Sequence, residues 1–373
     1  QWADTAAGAA AKLAGADSPP RVMGKRRPAR AAIGPECTGA TCRVAPQHFR
    51  KVHRMNRRPV LLALSGLLGL AAMTANAQQD YPTRPITLVV PYAPGGTTDI
   101  LGRAFAQSMS KTLKQPVVVE NKPGAGGTQS VLDMRNTKPD GYRLALIPVS
   151  VFRQPYVQKV QYDPIGDLTY VASFSAYDFI LAVAADSPYK TLQDLVADAR
   201  KNPGSVEYGT PGKNTGNHVA GALLAKAAGI KLIHIPFKGD SEAINALLAG
   251  HIKAAILTNG VLTFMDAGKV RALAIAADSR PAAFAKVPTF KEAGYDVVIP
   301  SPLGIAGPKG LPEPIVAKLD AAVKAALDDP EVKKTMANYG VRSDYRDHKA
   351  YAEFARKAFA EEKDIVTGLG LND

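Results

Sequence analysis

The sequence predicts an α/β fold. From Tyr81 onward, short runs rich in Val, Ile and Leu alternate with longer stretches whose apolar residues recur at helical spacing. This alternation is typical of strand–helix units with parallel strands. The run Ile86–Val90, for example, precedes a stretch in which Leu101, Phe105 and Met109 share one helical face.

Helix boundaries are marked as clearly as the strands. Thr191, followed three residues later by Asp194, is a capping-box pattern, and Pro330 after Asp329 suits the first position of a helix. Three glycines stand where helices are expected to end: Gly229, Gly250 and Gly340. The last third of the chain is predicted to hold helices at about residues 313–327, 331–339 and 349–369.

The strand-like runs form two series, which predicts two domains. The second series lies between residues 179 and 276 and is long enough for a sheet of its own. We therefore expect one lobe from residues 78–178 and 279–373 and another from residues 179–278, with crossovers near 176–179 and near Asp278. A single large doubly wound sheet is the alternative.

The segment 55–77 has the three parts of a secretory signal peptide. Arg57 and Arg58 give a basic start, residues 60–72 are apolar, and Ala75-Asn76-Ala77 is a small-residue cleavage motif. The apolar part is too short for a stable membrane span. We expect export to the periplasm, with cleavage after Ala77.

Residues 1–54 are rich in Ala, Gly, Pro and Arg without an apolar period. They are expected to be an upstream extension of the reading frame, with translation starting at Met55. A disordered basic arm is the competing interpretation.

The charge of the chain is concentrated in this leader. Residues 1–77 hold 12 of the 46 Lys and Arg residues and 3 of the 33 Asp and Glu residues, which leaves 34 against 30. The formal net charge falls from +13 to +4, and no nucleic-acid-binding motif is present, so no nucleic-acid partner is expected. Cys37 and Cys42 also lie in the leader, which excludes disulfides and thiolate chemistry from the exported part.

Glycine-rich or polar loops follow three successive predicted strands. The loop 91–99 contains Gly95-Gly96 and leads into a helix, the loop 121–128 contains Gly124 to Gly127, and Ser150 and Arg153 follow the third strand. Glycines bring backbone N–H groups close to a ligand, and a helix N-terminus adds unpaired donors and a positive dipole end. Such loops at the carboxyl ends of parallel strands suit a carboxylate or phosphate.

A set of motifs in a fixed order resembles the Bug family of exported solute-binding receptors. These motifs are Pro91–Asp99, Glu120–Gly127, Lys138-Pro139-Asp140-Gly141-Tyr142, Tyr162-Asp163-Pro164, Pro236-Phe237-Lys238-Gly239, Gly268–Ala274 and Val287–Gly294. They cover nearly the whole chain beyond the leader. The resemblance implies a bilobed periplasmic-binding-protein fold of type II, in which two βα domains are joined by two crossover strands.

The resemblance also implies a function. Such receptors bind small carboxylates and serve the membrane subunits of a tripartite tricarboxylate transporter; we expect a monomer without a cofactor or metal. One ligand carboxylate is held by the two glycine loops, partly through waters, since neutral donors bind an anion without a buried counter-charge. The implied binding residues are Tyr92, Gly95, Gly96, Thr97 and Asp99 in the first loop and Gly124, Ala125 and Gly126 in the second.

Asp99 is expected to organise its loop through a bond to backbone, because its charge repels a carboxylate. The opposite lobe is expected to contribute Thr210, Thr215 and His218 from the loop 210–218. His218 either contacts the ligand or begins a helix and is satisfied by backbone.

The chain departs from the family pattern at Arg153, preceded by Phe152. Either the Arg153 guanidinium binds a second ligand carboxylate, or it points to solvent. Phe152 and Phe237 could flank a ring. A dicarboxylate, tricarboxylate or aromatic carboxylate ligand is therefore the hypothesis.

Two other classes of function remain open. An exported enzyme is disfavoured because the sequence has no G-x-S-x-G elbow, no H-E-x-x-H motif and no P-loop. A receptor that presents its ligand to a membrane sensor kinase is compatible with the same sequence.

Overall fold

The computed structural model describes residues 81–371. The predictions of an extension at 1–54, a signal peptide at 55–77 and cleavage after Ala77 lie outside the described residues. Within the described range, no helix combines the length and the apolar character that a membrane crossing requires.

The described chain contains eleven strands and ten α-helices, labelled in chain order. The strands are β1 (Ile86–Val90), β2 (Val117–Asn121), β3 (Arg143–Ile147), β4 (Leu168–Ala176), β5 (Ile180–Ala184), β6 (Glu207–Thr210), β7 (Ile233–Pro236), β8 (Ala254–Leu257), β9 (Val270–Ile275), β10 (Pro302–Pro308) and β11 (Arg342–Arg346). The helices are α1 (Thr97–Leu113), α2 (Gln129–Arg135), α3 (Ser150–Val157), α4 (Leu192–Lys201), α5 (Gly216–Ala228), α6 (Asp240–Leu248), α7 (Val261–Asp266), α8 (Glu313–Asp328), α9 (Pro330–Asn338) and α10 (His348–Leu369).

The strands form two sheets, and we name the lobes after them. The first lobe is built on a six-stranded sheet of order β11-β4-β10-β3-β1-β2, and the second on a five-stranded sheet of order β7-β6-β8-β5-β9. The bilobed α/β fold predicted from the sequence is therefore confirmed, and the alternative of one large sheet is wrong.

Each sheet mixes parallel and antiparallel pairs. In the first lobe β1 is parallel to β2 and β3, but β10 is antiparallel to β3 and β4. In the second lobe β6 is parallel to β7 and β8, but β5 is antiparallel to β8 and β9. The prediction of parallel units thus holds within each run of consecutive strand–helix units. It fails where the chain changes lobe, because a strand that enters from the other lobe runs in the opposite direction.

The helices bury the faces that their spacing predicts. Leu101, Phe105 and Met109 of α1 are fully buried and pack in one cluster with Leu88 of β1. Burying a side chain of this size contributes about 1.5–3 kcal/mol to the free energy of unfolding. Because this face of α1 packs against β1, the N-terminus of the helix lies at the carboxyl end of that strand.

The chain returns to the first lobe later than the sequence suggests. Phe284 and Val287 pack on one face of the second sheet, and Phe290 and Val297 pack on the other. The predicted second crossover near Asp278 is therefore displaced to the start of β10. Within the described residues, we propose 81–178 and 302–371 for the first lobe and 179–301 for the second.

The C-terminal helix α10 contacts both lobes. Tyr351 and Ala355 pack in the first-lobe core, whereas Ile365 and Leu369 pack against the core of the second lobe. The helix α10 therefore runs from the first lobe to the second, next to α3.

Candidate functional site

The loop after β1 leads directly into the N-terminus of α1. Gly96 caps this helix without any side-chain hydrogen bond, and Gly95 has a φ of 83°. The N–H groups of Thr97 and Thr98 have no partner within the helix, because the first turn has no preceding carbonyls. The first glycine loop therefore presents backbone donors and the positive end of the α1 dipole.

Asp99 holds this loop in shape from inside the first turn of α1. Its carboxylate accepts a 2.9 Å bond from the N–H of Gly95 and a 2.8 Å bond from the side-chain amide of Asn121, and Arg103 forms an ion pair with it. Burial opposes the ionisation of Asp99, but the hydrogen bonds from Arg103, Gly95 and Asn121 outweigh it and lower the pKa of this carboxyl. These contacts give Asp99 the organising position expected for it.

The second glycine loop keeps four successive residues in the left-handed region. The φ angles are 144° at Gly124, 47° at Ala125, 64° at Gly126 and 96° at Gly127. A Cβ at Gly126 would lie 2.4 Å from the carbonyl oxygen of Lys213 in the second lobe. Glycine at 126 therefore permits both the turn and the close approach of the two lobes.

Two side chains of the first lobe hold this loop against the first one. The Ser150 hydroxyl donates a 2.6 Å bond to the carbonyl of Gly126, and the Tyr92 hydroxyl lies 3.4 Å from the same oxygen. The three strand-end loops predicted to share a crevice are thus adjacent.

Arg153 occupies neither of the two positions considered for it. Its guanidinium is fully buried and makes two 2.7 Å bonds to the carboxylate of Glu362 on α10. A third bond of 2.8 Å goes to the carbonyl of Asn214 in the second lobe. Burial raises the pKa of Glu362, although the charge of Arg153 opposes that change. Arg153 therefore ties α3, α10 and the second lobe together, and both the ligand contact and the solvent position are wrong for this structure.

The aromatic pair proposed to flank a ring is also separated. Phe152 is buried in the first lobe near Tyr170, at 6.3 Å between ring centroids. Phe237 packs against the core of the second lobe. Both residues lie beside predicted loops in the sequence, but this position does not indicate which way their rings point.

The second-lobe loop is organised by its own hydrogen bonds. The Thr215 hydroxyl accepts from the N–H of His218 and so caps α5, while it donates a 2.8 Å bond to the carbonyl of Gly212. The Thr210 hydroxyl lies 2.7 Å from Nε2 of His234. Thr210 and Thr215 therefore shape the loop through bonds within the second lobe.

His218 begins α5 and is satisfied by backbone. Its Nδ1 accepts a 3.2 Å bond from the N–H of Asn214, and its ring lies 4.1 Å from that of His234. Burial, aided by the charges of Arg153 and Lys213, lowers the pKa of His218 to about 4. This imidazole is thus uncharged at neutral pH, as expected for the helix-start alternative.

The two lobes touch through polar contacts on either side of the loops. The hydroxyls of Thr97 and Thr258 lie 2.7 Å apart, and the N–H of Gly260 donates a 3.0 Å bond to the same Thr97 oxygen. The N–H of Ala93 bonds to the carbonyl of Lys238 at 3.1 Å. The loops that follow β7 and β8 in the second lobe therefore contact the first glycine loop.

Between these contacts lies a small cleft lined by both lobes. Its volume is about 30 Å³, which leaves room for about two waters. Four of the residues predicted from the sequence line it: Tyr92, Gly96, Thr97 and Ser150. Gly126 and the second-lobe residues Thr210, Thr215 and His218 lie in the loops around it. Residues that the sequence analysis did not propose also line it, among them Tyr177, Asn217, Asp240, Thr258 and Ser301.

Asp240 is the acidic side chain in this lining. It occupies the first turn of α6, and burial raises the pKa of its carboxyl to about 6 against the opposing hydrogen bonds from Thr258. Asp240 follows Gly239 and the carboxyl end of β7. The pattern used for the other loops, glycine after a strand and before a helix, therefore identifies this loop as well. Among the described residues, no cluster of three His, Cys, Asp or Glu side chains is arranged to hold a metal ion.

Comparison with known proteins gives consistent matches. The family model described as the tripartite tricarboxylate transporter family receptor matches residues 101–371. A protein of Cupriavidus necator, described as the UPF0065 protein in the gbd 5' region, is 44% identical over 315 residues, which cover 84% of this chain and 96% of that protein.

Two solved structures extend the similarity to the fold. The periplasmic binding protein BugD shares 29% identity with a TM-score of 0.75, covering 78% of this chain and 99% of its own. MatC from Rhodopseudomonas palustris, solved with bound malate, shares 30% identity with a TM-score of 0.73, covering 77% of this chain and all of its own.

Proposed function

The chain belongs to the tripartite tricarboxylate transporter receptor family, the Bug family of solute-binding receptors, and on that premise we propose that it captures a small carboxylate in the periplasm. We propose further that it delivers this ligand to the membrane subunits of a tripartite transporter. Di-, tri- and aromatic carboxylates are the candidate ligands. Members of this family act as receptors rather than as enzymes.

The observation that carries the proposal is the uncapped N-terminus of α1 in the cleft. Gly96 and Thr97 line the cleft, and no side chain caps the helix at Gly96. Backbone N–H groups and a helix dipole stabilise an anion without the desolvation cost of a buried cation. Malate in the related MatC is a carboxylate of the proposed class.

Capture requires the lobes to separate and close again. The cleft is lined by residues of both lobes, and contacts between the lobes lie on either side of it, so a ligand enters when the lobes part. The two crossovers, residues 177–179 and the segment before β10, are the proposed hinges. Because both lobes contact the ligand only when closed, binding shifts the equilibrium toward the form that the membrane partner recognises.

Thermal unfolding against a ligand panel tests the proposal. The panel contains malate, adipate, citrate and benzoate, with the corresponding amides as uncharged controls. A ligand at about 100 times its dissociation constant adds about 2.7 kcal/mol to the free energy of unfolding. We expect a raised melting temperature for at least one carboxylate and none for its amide. The absence of a shift with every carboxylate, in protein stripped of bound ligand, would contradict the proposal.

A further inference from the structure

Asp240 brings a negative charge into a cleft proposed to receive an anion. It lies against the first glycine loop, since a Cβ at Gly96 would be 3.7 Å from both the Cβ and the N of Asp240. Both residues line the same cleft. Any carboxylate bound by the N-terminus of α1 is therefore a close neighbour of the Asp240 carboxyl.

Asp240 has no cation to neutralise it. Among the ion pairs of the described residues, none includes this side chain, and the polar groups bonded to it are the N–H of Thr258, at 3.4 Å, and the Thr258 hydroxyl. Arg153, which could have served as a counter-charge, is committed to Glu362. A second carboxylate in this cleft would meet an unpaired like charge.

The other titratable groups near the cleft do not change charge near neutral pH. Tyr92 and Tyr177 face Asp240 from the first lobe and the crossover, and burial raises the pKa of both phenols. His218 and His234 stay neutral because burial lowers their pKa values to about 4 and about 3. On the helix of Asp240 itself, Glu242 accepts from the N–H of Lys238 at the exposed side.

Asp240 is also connected to the contact that closes the lobes. The Thr258 hydroxyl is placed to donate both to Thr97 and to the Asp240 carboxylate. Because it has one proton, the two acceptors compete for it. Thr97 in turn accepts from the N–H of Gly260. An ionised Asp240 thus draws the Thr258 proton away from Thr97, whereas a protonated Asp240 leaves it free for the contact that joins the two lobes.

We propose that Asp240 is a specificity-determining residue that couples carboxylate capture to the uptake of one proton. This inference rests on the proposed function. Two carboxylates that lie close together in one cleft repel each other, so one of them takes a proton. Asp240 takes it, because the ligand carboxylate is the group that the α1 N-terminus stabilises as an anion. Protonated Asp240 then offers its own O–H as a donor to the ligand.

The test is the affinity for malate and adipate between pH 6 and pH 8, measured by titration calorimetry. The free Asp240 carboxyl titrates at about 6, so the dissociation constant of the native protein is expected to be about 50-fold higher at pH 8 than at pH 6. The Asp240→Asn variant, isosteric and uncharged, is expected to bind with almost the same affinity at both pH values. Glu242→Gln removes a charge two residues along the same helix outside the cleft, and we expect it to keep the native pH dependence.

A second measurement on the native protein does not depend on any variant folding. Titrations at pH 7 in two buffers of different ionisation enthalpy report the protons bound with the ligand. We expect an uptake of about 0.9 proton per malate or adipate.

The outcomes separate this inference from the proposed function. Tight binding with no proton uptake and equal pH profiles for the native and Asp240→Asn proteins would overturn the inference alone. Binding of aspartate independent of pH, with no binding of malate or adipate, would also overturn it, since ionised Asp240 would then pair with an ammonium group. If no carboxylate binds at any pH, the proposed function fails and the inference fails with it.

Discussion

The two faces of the cleft are built from different chemistry. The first lobe supplies neutral groups, namely backbone N–H groups, Ser150 and Thr97, and it turns its charged residues Asp99 and Arg153 toward protein partners. The second lobe brings titratable groups to the same region, with Asp240 in the lining and His218 beside it. We propose accordingly that the first lobe binds the anion and that the charge of Asp240 in the second lobe controls closure.

The largest expected effect is at Glu362, the ion-pair partner of the buried Arg153. Glu362→Ala leaves the fully buried Arg153 unpaired, and we expect the free energy of unfolding to fall by about 3–5 kcal/mol. Urea denaturation measures this change. The adjacent Glu361→Ala is the matched control, because Glu361 is exposed and, within residues 81–371, pairs only with Lys357, at 3.8 Å. Its change is expected to be below about 0.5 kcal/mol. Equal effects would mean that the buried ion pair does not contribute to the free energy of unfolding.

The second-lobe face is expected to be the acid-sensitive one. His218 has a pKa of about 4 in the folded protein and 6.5 as its ordinary value, so the unfolded chain binds more protons below pH 6.5. Its contribution is fully present above pH 6.5 and is lost as the pH falls toward 4, by about 3 kcal/mol. His218→Gln is expected to flatten this decline in urea midpoints. The exposed His251→Gln should keep the native profile, and a decline that persists unchanged in His218→Gln would contradict the assignment.

A substitution at Gly126 tests the close approach of the first lobe to Lys213 of the second. In Gly126→Ala the new Cβ meets the Lys213 carbonyl, so closure costs about 1–3 kcal/mol and the affinity for carboxylate falls about 5- to 150-fold. Gly229→Ala is the control, since Gly229 has nearly the same φ, 61°, with nothing within 4 Å of the added Cβ. Calorimetric titration compares the two. Similar affinities would show that the lobes do not approach at this point when ligand binds.

The smallest expected effect is at the Thr97 hydroxyl. Thr97→Val removes its contacts with Thr258 and Gly260, and we expect about 1 kcal/mol less stable closure and about fivefold weaker binding. Thr263→Val removes a hydroxyl that donates to the carbonyl of Gly260 at the start of α7, outside the contact with Thr97, so its affinity should match the native value. An unchanged affinity for Thr97→Val would mean that this hydroxyl does not stabilise the contact between the closed lobes.

The strand-end loops were predictable because their signal is local. Two glycines between an apolar run and a helical face indicate presented backbone, and the loops with Gly96 and Gly126 lie side by side as expected. Asp99 was predictable for the same reason, since its partner Gly95 is four residues away. Asp240 obeys the same rule, since it follows the carboxyl end of β7 and Gly239.

The direction of long side chains was not predictable. Arg153 lies 209 residues from Glu362 in the chain, and no local pattern indicates that they meet. The packing of residues 279–301 on the second lobe depends equally on contacts distant in sequence, such as those of Phe290.

The sequence by itself determined the α/β class, the two series of strands, the caps of the helices and the loops that present backbone N–H groups. These features depend on residue preferences and spacings over a few turns of chain. Only the tertiary structure decided the strand directions at the crossovers, the partner of Arg153 and the position of Asp240 against Gly96. Those outcomes follow from which surfaces bury each other, and burial is a property of the whole packed molecule rather than of any segment.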